Sequence, residues 1–144
     1  MLEFEDINNN RILTRFSNYK RDYDKVNNCA LTAMFYGERD KGKLEISVFD
    51  ITEEFNNNEI EKIYKIGDVQ VYKNKDPKTK ARADIKIEDI KKIKTVNNKN
   101  LKVYRSINFA SKHRNIKAIP FNEAAALNVA SQLARVSVLH IRKK

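Results

Sequence analysis

Apolar and polar side chains alternate along most of the stretch between residues 43 and 50. Leu44, Ile46, Val48 and Asp50 would lie on one face of a strand, and Glu45, Ser47 and Phe49 on the other. Such alternation is expected of a strand that lays one side against a core. Residues 30–36 form a second apolar segment, and the polar connection between the two segments carries Gly37 and Gly42 at its ends. The pattern predicts an antiparallel hairpin.

A three- to four-residue spacing of apolar positions replaces the alternation in two other places. Between Asn57 and Gly67 the apolar positions are Ile60, Ile63, Tyr64 and Ile66. This spacing predicts an amphipathic helix that ends at the glycine. Asn122 can cap a longer helix, whose inner face would consist of Ala126, Val129, Ala130, Leu133 and Val136. The small residues on that face favour close packing against a sheet.

Shorter patterns occupy the rest of the chain. We expect extended segments at 82–87 and 101–105, a brief helix at 88–93, and a short helix or edge segment at 11–16. The sequence therefore predicts an α+β fold with a small, mainly antiparallel sheet packed by helices. Residues 1–144 would form one domain, with residues 1–29 partly flexible.

Composition excludes several classes of protein and site. The single cysteine, Cys29, cannot form an internal disulfide or complete a zinc set, and three glycines cannot build a glycine-rich phosphate loop. No apolar run approaches the roughly 18 residues that span a bilayer, and the acidic start of the chain does not resemble a signal peptide. We therefore predict a cytoplasmic protein that has no membrane partner, no metal and no cofactor.

Net charge is the largest global feature of the sequence. The chain carries 29 lysines and arginines against 19 acidic residues, a formal charge of +10. Such an excess attracts nucleic acid or an acidic protein partner. The predicted nucleic-acid-binding cations are Lys73, Lys75, Lys78, Lys80, Arg82, Arg105, Lys112 and Arg114. An alternative is that the many lysines and the Asn-Asn-Asn runs at 8–10 and 56–58 reflect genome composition and occupy solvated surfaces.

One of the two histidines lies among cations in the polar stretch 106–119. If this stretch is a loop at the sheet edge, His113 can exchange a proton near neutral pH, while Arg114 or Lys112 holds a phosphate. These are the groups that a metal-independent ribonuclease needs. Asp84 could orient the histidine if the fold brought the two together. The alternative is an ordinary strand, with His113 as a structural hydrogen-bonding residue and Ile116 facing inward.

The order of these patterns resembles a group of short uncharacterised bacterial proteins. The resemblance covers roughly residues 30–137 and rests on Arg-Ala-Asp at 82–84, His-x-Asn-Ile at 113–116 and the following Pro120. That group carries a tryptophan before the proline, where this chain has Ile119. The resemblance implies that Arg82, Asp84, His113 and Asn115 matter together, and it implies no activity.

Three functional hypotheses follow from the sequence. The first is a small basic binding protein of a bacterial cell, or of a mobile element or a defence or toxin locus, that engages nucleic acid or an acidic partner. The second is a metal-independent ribonuclease that uses His113 with Arg114 or Lys112. The third is a non-catalytic interaction module in which Arg82, Asp84, His113 and Asn115 lock the fold.

Overall fold

An antiparallel sheet of seven strands runs through the molecule. The computed structural model describes residues 3–36, 38–40, 43–106, 112–117, 119 and 122–143. Its strands are β1 (Glu3–Glu5), β2 (Ile12–Ser17), β3 (Tyr23–Asp24), β4 (Cys29–Ala30), β5 (Glu38–Asp40), β6 (Lys43–Asp50), β7 (Ala81–Lys86), β8 (Lys102–Ser106), β9 (His113–Lys117) and β10 (Val138–Ile141). Its helices are α1 (Thr52–Asn56), α2 (Ile60–Ile66), α3 (Ile87–Lys91) and α4 (Glu123–Val136).

Strand order in the sheet differs from strand order in the sequence. The sheet runs β1-β8-β9-β6-β2-β7-β10, with β5 paired to β6 beside this path, and β3 and β4 form a separate two-stranded ribbon. Every strand pair in the described residues is antiparallel. Strand β2, the second in the chain, therefore lies near the centre, between β6 and β7.

One side of the sheet carries the main hydrophobic core. Strands β2, β6 and β7 contribute Leu13, Ile46, Val48, Ala81, Ala83 and Ile85 to it. Helix α4 covers these residues with Val129, Ala130 and Leu133, all fully buried. The side chain of Asn122 caps this helix by accepting a 3.0 Å hydrogen bond from the backbone nitrogen of Ala125.

The other side of the sheet carries a smaller cluster. Phe16, Phe49, Ile51 and Ile63 form its buried part, with Ile66 and Tyr72 packed against it. These contacts bring α2 and the helical turn Gly67–Val71 over the strands β2 and β6. The sheet is therefore covered on both faces near its centre. On the second face, α2 places exposed side chains next to β9.

Most of the strongly patterned elements are confirmed. The α+β class and the mostly antiparallel sheet are present, and β6, β7, β8, α2, α3 and α4 fall where the sequence predicts them. The hairpin partner of β6 is β5 rather than residues 30–36. No helix in the described part of the chain is long and apolar enough to cross a membrane.

Two predictions of local structure were wrong. Residues 32–35 form a 3₁₀ turn, which buries Met34 and Phe35 without a strand. Residues 12–17 form a central strand rather than a short helix or an edge segment, while the partial flexibility of residues 1–29 stays a prediction. Of the two interpretations of residues 113–117, the inward-facing strand is confirmed: they form β9, with Ile116 buried.

Gly67 occupies a position where a side chain does not fit. A Cβ atom there would lie 2.4 Å from Thr79 Oγ1 and 2.8 Å from the ring of Phe16. Gly67→Ala is therefore expected to lower the free energy of unfolding by about 1–3 kcal/mol through overpacking, although alanine is the better helix former. Urea denaturation of this variant and of Gln70→Ala, an exposed control in the same turn, measures the difference. A Gly67→Ala protein as stable as the wild type would contradict the predicted clash.

Candidate functional site

Two cation-rich loops that are distant in sequence lie side by side in the structure. Because β2 pairs with β7, Ser17 lies opposite Ala81, where each strand meets its loop. The backbone nitrogen of Lys80 donates a 2.8 Å hydrogen bond to the carbonyl of Ser17, and the amide of Asn18 donates one of 2.8 Å to the carbonyl of Pro77. We call six exposed cations of these loops the basic rim; they are Lys20, Arg21, Lys73, Lys75, Lys78 and Lys80.

An aromatic side chain stands beside the cations of the rim. Tyr19 is 59% exposed, and the guanidinium carbon of Arg21 lies 4.8 Å from the centre of its ring. An exposed ring next to a cation can stack on an unpaired base while the cation meets a phosphate.

A groove leads from the rim across the sheet. Its volume is about 790 Å³, and its lining includes Arg21 of the rim together with Gln70, Tyr72 and His113. Burial, together with the charge of Asp22, raises the pKa of Tyr72 to about 12, so its hydroxyl stays protonated. We call this feature the connecting groove.

The connecting groove ends at a smaller pocket. This pocket has a volume of about 370 Å³ and shares Phe49, Gln70 and His113 with the groove. The rest of its wall consists of Lys62, Lys65, Ile66, Val69 and Lys112. Lys73 of the basic rim donates a 3.0 Å hydrogen bond to the carbonyl of Gln70, which joins rim and pocket directly. We call this feature the His113 pocket.

His113 lies at the wall that the pocket shares with the groove. Its ring meets Phe49 edge-on, with 5.5 Å between the ring centres. Burial lowers the pKa of His113 below its ordinary value, and the neighbouring charge of Arg114 acts in the same direction. Glu3 and Glu45 partly offset this lowering. The imidazole is therefore mostly neutral at pH 7 and can accept a proton.

The lysines of the pocket differ in their surroundings. Lys112 Nζ lies 3.0 Å from a carboxylate oxygen of Glu54, and Lys62 pairs with Glu59 on its own helix. Lys62 and Lys65 are both exposed on α2. The ammonium groups surround an apolar wall, an arrangement that suits a ligand with an aromatic part and a negative charge.

Two of the predicted nucleic-acid-binding arginines are engaged inside the fold. Arg114 is 8% exposed; its Nε lies 3.1 Å from Asp6 and one terminal nitrogen lies 3.3 Å from Asp50. Arg82 is 4% exposed and lies 3.1 Å from Asp84. Arg105 lies with its guanidinium carbon 4.5 Å from the centre of the Phe4 ring. We therefore do not include these arginines in the candidate site, and their predicted role stays untested.

Asp84 and His113 do not meet. Asp84 pairs across β2 and β6 with Thr14, Phe49 and then His113. Three strand spacings, about 14 Å, separate the two residues. Asp84 instead lies 3.5 Å from Nε2 of the other histidine, His140.

The four residues of the resemblance form two separate groups. Arg82 and Asp84 pair on β7, whereas Asn115 lies beside His113 on β9, where its amide oxygen is 3.5 Å from the hydroxyl of Ser47. All four residues belong to the same sheet, but they do not form a single site. The implied joint role of the four residues stays a prediction.

Sequence reasoning missed the helix side of the pocket. Lys62, Lys65 and Val69 recur at helical spacing and so share one face of α2 and its following turn. That signal was present, but the position of this face against β9 depends on packing that no local pattern encodes.

Models of protein families, curated proteins and solved structures give no match to this chain. Among the described residues, no group of three or more His, Cys, Asp and Glu side chains could hold a metal ion.

Proposed function

We propose that this protein binds single-stranded nucleic acid along the basic rim and the connecting groove. The observation that supports the proposal best is the junction of the loops 18–25 and 73–80. Hydrogen bonds join these two segments, both of which carry exposed cations, and Arg21 of the rim lines the groove. A row of ammonium groups neutralises phosphates and releases their counterions on binding.

The aromatic residues favour unpaired bases over a duplex. Tyr19 presents an exposed ring at the rim, and Tyr72 and Phe49 line the groove. Stacking on such rings requires bases that are free of a complementary strand, and it tolerates any sequence. A rigid duplex would contact the rim cations alone and leave the groove unused.

Removing rim charges is expected to weaken binding and its dependence on salt. In the triple variant K73Q/K75Q/K78Q, three ammonium groups are lost from exposed positions without a change in the core. The slope of log K against log salt for a single strand should then fall by about 2. Fluorescence anisotropy of a labelled oligonucleotide, measured between low and moderate salt, gives that slope.

The chain offers a matched control for this experiment. In K92Q/K94Q/K99Q the same number of exposed lysines is removed from the region between α3 and β8, away from the rim. This control should bind almost like the wild type. Equal losses in both variants would show that net charge rather than the rim drives binding. Binding of an acidic polypeptide with no binding of nucleic acid would replace the proposal with an acidic protein partner.

A further inference from the structure

The His113 pocket combines groups that the binding of a strand does not by itself require. A proton acceptor, His113, lies at the junction of groove and pocket, and ammonium groups of Lys62, Lys65 and Lys112 line the same cavity. A row of cations along the rim suffices to hold phosphates. The half-buried imidazole of His113, where the groove and the pocket meet, can in addition take up a proton from a bound strand.

The size of the pocket suits one nucleotide. Its volume of about 370 Å³ is near the lower end of the range for small-ligand sites, which is about 300–1,000 Å³. The apolar wall of Phe49, Ile66 and Val69 can receive a base, and the lysines can receive the adjoining phosphate. A strand that follows the groove from the rim would place one nucleotide at His113.

We propose that the His113 pocket cleaves single-stranded RNA by attack of a ribose 2′-hydroxyl on the adjacent phosphate. The inference rests on the proposed binding of single-stranded nucleic acid. RNA is the substrate class because its 2′-hydroxyl supplies the nucleophile, so the protein needs to supply only a base, an acid and positive charge.

The step balances without a further reactant. His113 takes the proton of the 2′-hydroxyl while the 2′-oxygen forms a bond to phosphorus. The bond from phosphorus to the 5′-oxygen breaks, and that oxygen takes a proton from a pocket lysine or from water. The products are a 2′,3′-cyclic phosphate and a 5′-hydroxyl. The lysines stabilise the negative charge that develops on the phosphate oxygens.

The charges around His113 set the expected pH dependence. Arg114 favours the neutral imidazole, while Glu3 and Glu45 favour the protonated one. Lys62, Lys65 and Lys112 line the same pocket, and Lys62 and Lys112 are paired with Glu59 and Glu54. Burial also favours the neutral imidazole, so the pKa of His113 lies below its ordinary value. The base is neutral above that pKa; the cleavage rate should therefore rise with pH through it and then level off.

Cleavage and binding are measured on separate substrates. A doubly labelled random-sequence RNA pool, with EDTA present, reports cleavage, and the same pool as 2′-deoxy strands reports binding. The wild type should release 2′,3′-cyclic phosphate ends from RNA and leave the deoxy pool intact. His113→Ala should cleave at least about 100-fold more slowly, because a general base contributes about 10²–10⁴. Because His113 also lines the connecting groove, the affinity of this variant for the deoxy pool should fall by much less than its cleavage rate.

His140→Ala is the matched control, since His140 is the other histidine of the chain and lies away from the pocket. It should cleave like the wild type. Thermal denaturation identifies any variant that fails to fold, and His113→Gln then replaces His113→Ala.

Wild-type protein that binds the deoxy pool but leaves RNA uncut would overturn the ribonuclease inference and leave the proposed binding intact. Failure to bind either pool would overturn the proposed function itself. Cleavage that persists in His113→Ala, or that also cuts deoxy strands, would exclude the proposed role of His113.

Discussion

Replacing Asp50 by alanine is expected to lower the free energy of unfolding by about 3–5 kcal/mol. Asp50 is 2% exposed; one carboxylate oxygen lies 2.8 Å from Arg11 Nε and 3.3 Å from Arg114. The other oxygen accepts hydrogen bonds of 3.0 and 2.6 Å from the backbone nitrogen and hydroxyl of Thr52. In the variant, the buried guanidinium of Arg114 would lose one of its carboxylate partners. The backbone nitrogen of Thr52, at the start of α1, would lose its hydrogen-bond acceptor. Urea denaturation measures the loss.

Glu53→Ala is the control for this prediction. Glu53 pairs with the same Arg11, but its side chain is 58% exposed. Water screens such a pair, so its loss should cost less than about 1 kcal/mol. Equal effects of the two substitutions would show that burial of Asp50 does not determine its contribution.

Replacing Asp84 by asparagine is expected to have an effect of similar size, about 3–5 kcal/mol. The buried carboxylate of Asp84 lies 3.1 Å from Arg82 Nε and accepts a 2.7 Å hydrogen bond from Thr14. Asparagine keeps the shape and the bond to Thr14 while removing the charge that Arg82 needs. Chemical denaturation of the single variant measures this cost.

A double variant separates the charge from the packing. In R82M/D84N both ionic partners are absent, so no uncompensated buried charge remains and most of the stability should return. Losses that simply add in the double variant would show that the two residues stabilise the fold independently.

The sequence predicts those elements in which one face shows a clear period. In α4 the buried side chains recur at helical spacing, and in β6 the core residues Ile46 and Val48 are separated by the polar Ser47, although Phe49 is buried on the other side. Strand β2 was missed because Leu13 and Thr14, which face opposite sides, are both fully buried. A strand covered on two sides shows no alternation.

The sequence predicts some of the residues of the candidate site but not which residues lie next to one another in it. The lysines of residues 73–80 are evident from the sequence, yet their neighbours come from loop 18–25 through pairing of β2 with β7. Arg114 was placed at the site because a buried arginine looks the same in sequence as an exposed one. Its partner Asp6 is 108 residues away and Asp50 is 64 residues away, so no local pattern could reveal the ion pairs.

The central position of β2 has a consequence for synthesis of the chain on the ribosome. Its neighbour β7 lies some 65 residues later, and α4, which covers their common core, is made later still. Until residues 123–141 have emerged, the apolar side of β2, β6 and β7 is covered only in part, by residues such as Met34 and Phe35, and incompletely covered surfaces are prone to aggregate. Folding from the ribosome is therefore expected to depend on contacts that only the completed sheet provides.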